Sequence, residues 1–289
     1  MCIFYTQWLL GYKELLKNRN SKQFYIKRLF RIFPLYLIEV LGFAVLLVFF
    51  STLGSKEYIM GSHFWKYIFW NYVTLNFLYP SLPGVFSGNA VNGALWTIKV
   101  ELGFYLILPL IVHVLNRLQT KRKQNVFLLV IYVFSVLWNF LLTAFAERLG
   151  IPRQISYQLP GFMSFFGSGM VYVYNDEELH KIDRILIIPS FLLFVLHYFT
   201  NTEFLLPFVL TVIVMFLGSR IRFLSEIGCP VDYSYAMYLF HFPLITIFTS
   251  LGFFIQTPVF AILVIILSVL GMVFIAEKYI QQKLNLFIK

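Results

Sequence analysis

Cysteine is almost absent from this chain: Cys2 and Cys229 are the only two in 289 residues. Two such residues give neither a disulfide framework nor a zinc-type spacing. Charge is scarce too, at 12% of residues, where soluble domains carry about 25%. There is no G-x-S-x-G, no P-loop, no H-E-x-x-H and no dinucleotide fingerprint. Internal repeats and low-complexity tracts are missing. The first residues have neither the basic n-region nor the small-residue cleavage site of a signal peptide. These absences exclude disordered, collagen-like and coiled-coil classes, and the ordinary soluble enzymes.

Apolar and aromatic residues take up the space. Hydrophobic residues make up 60% of the chain, the mean hydropathy is +0.78, and 34 Phe, 18 Tyr and 5 Trp make a fifth of it aromatic. A helix bundle in lipid with aromatic belts has this composition. A span needs about 20 residues, so the length allows roughly eight to ten. Eight apolar runs read as full spans: 32–53, 94–115, 126–146, 155–174, 185–198, 204–218, 231–254 and 258–276. Residues 2–11 are apolar but too short to cross, and read as half of a further helix. The expected fold is therefore an all-α, polytopic transmembrane bundle of about eight spans plus a partial N-terminal helix. It forms one membrane-embedded domain over 1–289.

The net charge is +10, and the basic residues cluster in short loops. Residues 12–31 hold Lys13, Lys17, Arg19, Lys22, Lys27, Arg28 and Arg31 against one acid, Glu14. Arg117, Lys121, Arg122 and Lys123 follow the second run. Alternating the spans puts these groups, Lys181/Arg184, Arg220/Arg222 and the C-terminal lysines on the cytoplasmic side, as the positive-inside bias requires. The charge then reads as a topology signal, with the lipid bilayer rather than nucleic acid as partner. The consistency requires 63–79 to stay outside as an interfacial or re-entrant segment.

Polar groups at membrane depth are functional candidates by default. Glu101 lies about seven residues into the 94–115 run, roughly 10 Å deep at 1.5 Å per residue. Thr97, Glu101 and Tyr105 share a helix face, whereas Lys99 projects from nearly the opposite side. A buried carboxyl suits a general acid or base; it also suits a structural carboxylate bonded to a neighbouring helix. Ser234, Tyr238 and His241 share a face of the 231–254 run. His241 approaches the midplane from the inner side as Glu101 does from the outer, as a lining group or as a satisfied helix histidine. Arg28 and Arg31 are one turn apart at the cytoplasmic mouth, where guanidinium pairs hold phosphates bidentately or simply mark topology. Gly161, Ser164, Gly167, Ser168 and Gly169 form a small-residue stripe suited to close helix approach. No residues read as metal ligands.

At these residues the chain resembles the acyltransferase 3 family of polytopic membrane proteins. Arg28-Leu-Phe-Arg31-Ile-Phe-Pro34 is similar to its R-x-x-R cytoplasmic stretch. Leu95-Trp96-Thr97-Ile98-Lys99-Val100-Glu101 through Tyr105 and Pro109 resembles L-W-[ST]-x-x-x-E-x-x-F-Y-x-x-x-P. Ser234-Tyr235 through Tyr238, His241 and Pro243 resembles S-Y-x-x-Y-L-x-H-x-P. The resemblance implies about ten helices, both termini cytoplasmic, in a bacterial inner or plasma membrane. It implies transfer of an acyl group, commonly acetyl, from cytoplasmic acyl-CoA to a hydroxyl of an envelope polysaccharide, glycolipid or exported sugar. Acyl-CoA would be a co-substrate, with no permanently bound cofactor. Arg28 and Arg31 would take the CoA phosphates. Glu101 and His241 would be the candidate catalytic groups, and Trp96, Thr97, Tyr105, Ser234 and Tyr238 would meet substrate. Family members carry an additional first helix with an Arg and a catalytic His that has no counterpart here, so the sequence reads as N-terminally truncated. Lys99 departs from the family's small or polar residue. The alternatives are a transporter of a glycan intermediate or small anion, and an inactive remnant.

Overall fold

A computed structural model describes residues 21–200, 204–220 and 233–281. Among the described residues all regular secondary structure is helical, without strands. The main helices are α1 (Ser21–Leu46), α2 (Ser55–Met60), α3 (Ser62–Tyr72), α4 (Trp96–Arg117), α5 (Lys121–Phe145), α6 (Leu159–Tyr174), α7 (Asp176–Thr200), α8 (Leu206–Arg220), α9 (Tyr233–Ser250), α10 (Phe253–Gln256) and α11 (Pro258–Ala276). The expected half-helix at 2–11 lies outside the described residues.

Among the described residues five segments are long and apolar enough to cross a bilayer: Ser21–Phe50, Trp96–Arg117, Lys121–Phe145, Lys181–Thr200 and Pro258–Ile280. The first corrects a boundary. The basic residues from Ser21 onward are not a loop before the 32–53 run; they are the opening turns of α1 itself. Their side chains are long and straight, with good helix propensity, and Pro34 is the sole proline in the helix. Helices α2 and α3 have 6 and 11 residues, too short for a helix to span about 30 Å. The 231–254 run is cut in two: Gly252, at φ 74°, ends α9 and caps α10.

The chain divides into two compact units, each made of separated stretches. One holds 103–220 and the start of α1. In it α6 packs on α5 and α8, and α7 on α8. The small residues of α6 make its contacts with α5 and α8. Ser135 of α5 donates to Gly161 O (3.0 Å) and accepts from Ser164 N (2.7 Å). On the other side Thr211 donates to Ser168 Oγ at 2.8 Å. A Cβ on Gly161 would stand 1.7 Å from Ser156 O, so only glycine fits. Thr120 caps α5 by accepting from Lys123 N, and Lys121 pairs with Glu178 at 2.5 Å. That hydrogen bond holds the Glu178 carboxyl below its ordinary value.

The other unit holds 25–102 and 233–281, with α9 on α11. Tyrosine hydroxyls tie its parts to main-chain carbonyls: Tyr36 to Asn71 O (2.7 Å), Tyr58 to Ala44 O (2.8 Å) and Tyr235 to Ile32 O (3.0 Å). The 73–95 stretch is clasped to the end of the first span by Ser51 Oγ on Pro83 O (2.9 Å) and Thr52 N on Gly84 O (2.9 Å). Phe86 and Ser87 in that segment adopt left-handed φ of 50° and 52°.

Candidate active site

Most of the residues singled out from sequence fall in the second unit, and the structure joins two of the three quoted motifs there. The hydroxyls of Thr97 on α4 and Tyr238 on α9 are 2.6 Å apart. Both also reach Ala94 O, at 3.1 Å and 2.7 Å. Two hydroxyl hydrogens thus serve three contacts, so one hydroxyl oxygen keeps acceptor capacity in either arrangement.

Glu101, one turn below Thr97, is 4% exposed and lies within electrostatic reach of Tyr238. Lys99 turns away, with Nζ 4.3 Å from the Phe77 ring centroid. His241, one turn along α9 from Tyr238, is half-buried. Its Nδ1 faces two carbonyls, Tyr238 O at 2.8 Å and Met237 O at 3.2 Å. A nitrogen facing only acceptors must carry the proton. The neutral ring then keeps its lone pair on Nε2, the nitrogen a general base uses. Trp96 and Ser234 are half-buried on α4 and α9. Tyr105 belongs to the other unit, edge-on to Phe24 at 5.9 Å.

The arginines differ from one another. Arg28 is 6% exposed, while Arg31 is half-buried and feels the Glu277 carboxylate beyond α11. They are not two open guanidinium groups side by side on a surface. Among the described residues no group of His, Cys, Asp or Glu is placed to hold a metal ion.

Two residues beside this face are missing from the sequence-derived candidates. Glu39, on α1, is 1% exposed and Asn92 is 4% exposed. Asn92 Nδ2 donates to Glu39 Oε1 (2.8 Å) and to Leu239 O (2.9 Å), and Asn92 Oδ1 accepts from Ala94 N (3.0 Å). Next to it Gly93 lets the chain close on α9: a Cβ there would lie 2.7 Å from Phe242 Cζ. The sequence does carry a signal for Glu39, a lone acid within an apolar run. Asn92, in a loop of ordinary polar residues, has none.

The family model described as "Acyltransferase domain" matches residues 3–277. A viral protein named "Putative acetyltransferase ORF330", from Acidianus two-tailed virus, is 28% identical over 241 residues. That match covers 78% of this chain and 66% of the viral protein, just under two thirds of its length. No solved structure matches the chain.

Proposed function

Since the chain belongs to this acyltransferase family, we propose that it is an integral membrane acyltransferase. It moves an acyl group, acetyl by the relative's name, from cytoplasmic acyl-CoA to a hydroxyl of a cell-envelope or exported carbohydrate. The observation that carries the reading is the 2.6 Å contact between Thr97 and Tyr238. It makes one hydroxyl-lined face out of two motifs 141 positions apart, beside Glu101 and His241.

In this reading α6, α8 and α9 are further spans, and the C-terminus is cytoplasmic. The acceptor hydroxyl reaches the Thr97–Tyr238 pair and gives its proton to His241 Nε2. Its oxygen attacks the thioester carbonyl carbon. The tetrahedral oxyanion collapses, the carbon–sulfur bond breaks, and the CoA thiolate takes the proton back from the imidazolium. The buried Glu101 carboxylate favours the transient positive charge on the ring. Arg31, the more exposed arginine, meets the CoA phosphates first, and Arg28 supports the same end of α1. Trp96 and Ser234 serve substrate contact.

The test is radiolabelled acetyl-CoA added to membranes from cells with and without the expressed gene. We expect label in alkali-labile ester linkage to envelope carbohydrate, and a loss of at least 100-fold in His241→Ala, within the range for a general base. Equal labelling with and without the protein rejects the reading. Full activity in His241→Ala rejects the role given to that ring.

A further inference from the structure

Asn92 uses its whole side chain. Its two amide hydrogens go to Glu39 Oε1 and Leu239 O, and its oxygen takes Ala94 N. The assignment of nitrogen and oxygen is forced, because two partners are acceptors and one is a donor. Ala94 is in turn the residue whose carbonyl receives both Tyr238 and Thr97. A continuous path therefore runs from Glu39 through Asn92 and Ala94 to the Thr97–Tyr238 pair. It joins α1, the strand of chain entering α4, and α9, all within one compact unit.

Glu39 is an expensive choice for mid-helix in an apolar run. Its Oε2 is buried and makes no hydrogen bond to any described residue, so its one directed bond is the one to Asn92. Near it, burial first and the Glu39 carboxyl second hold the Tyr67 phenol well above its ordinary range. That phenol stays an uncharged, buried group, and its hydroxyl has no partner among the described residues. No cation stands in an ion pair with Glu39 among the described residues.

We propose that Glu39 is a positioning residue for the acyltransferase site: as the acceptor for Asn92, it fixes residues 92–97 against α9 and so sets the Thr97–Tyr238 pair. The claim concerns a hydrogen-bond acceptor, not a negative charge. It rests on the acyl-transfer reading for its effect on turnover, while the hub can be read without any turnover.

The conservative variant separates the roles. Glu39→Gln keeps an acceptor oxygen for Asn92; Glu39→Leu removes it and leaves a buried amide hydrogen unsatisfied. The full chain in nanodiscs is followed by hydrogen–deuterium exchange of peptides covering 92–98. Turnover of acetyl-CoA is read as free thiol. We expect Glu39→Leu to speed exchange at 92–98 at least 10-fold and to lower kcat at least 10-fold, with KM for acetyl-CoA within about 2-fold of wild type. Glu39→Gln stays within about 2-fold of wild type in all three. Exchange unchanged in Glu39→Leu overturns the proposal, and so does Glu39→Gln behaving like Glu39→Leu, which would demand the charge. If Glu39→Leu does not fold, Asn92→Asp, which loses both donors, must show the same faster exchange, and wild-type exchange there overturns the hub. If wild type turns over no acetyl-CoA, the acyl-transfer reading fails, and the exchange comparison still decides the hub.

Discussion

The Tyr238 hydroxyl touches two oxygens, Thr97 Oγ1 and Ala94 O, and Thr97 can satisfy Ala94 O without it. Tyr238→Phe therefore removes a shared hydrogen without orphaning the carbonyl. We expect a cost of about 1 kcal/mol in stability, seen as a small fall in melting temperature in detergent, together with a roughly 10-fold fall in thiol release. Unchanged turnover would mean that the pair is structural only. Thr97, Glu101, Tyr238 and His241 were legible in the sequence because helical spacing puts each pair on a face. Glu39 stands out in the sequence only as a lone acid in an apolar run; its meaning lies in Asn92, 53 positions away, and periodicity within one helix cannot report a partner on another segment.

Among the elements, α6 shows how small residues act without any chemistry. Gly161 faces a main-chain oxygen, which cannot swing aside as a side chain can. Gly161→Ala should cost about 3 kcal/mol. Gly271 on α11 has nothing within 4 Å of an added Cβ, so Gly271→Ala is the matched control and should be neutral or more stable by up to about 1 kcal/mol. Thermal unfolding of the two variants in one detergent checks the contrast. The small-residue stripe was readable as a packing surface, and Ser135 and Thr211 are the partners that only the fold supplies. The start of α1 was misplaced because charge was read as loop, although lysine and arginine are good helix formers that project from the end of a buried helix.

For the whole molecule, the all-α architecture followed from composition. The two-unit division did not, because 25–102 and 233–281 meet through contacts between distant stretches. The topology is open to a direct check. With both cysteines replaced by Ser, single cysteines at Gln119, Gly150 and Gln256 are exposed to a membrane-impermeant maleimide on intact cells. The basic cluster from Arg117 to Lys123 predicts that Gln119 stays unlabelled and that Gly150 and Gln256 react. The opposite pattern would invert the assigned topology.

The clasped 73–95 stretch has a mechanical consequence. Phe86 and Ser87 hold left-handed backbone between the left-handed Gly84 and Gly88, each of the two side-chain-bearing residues at a cost of about 1–2 kcal/mol. Ser51 and Thr52, bonded to Pro83 and Gly84, keep that strain in place from three residues away. The stretch thus holds two strained residues a few positions from the bonds that tie it down, just beyond the helix that carries Glu39.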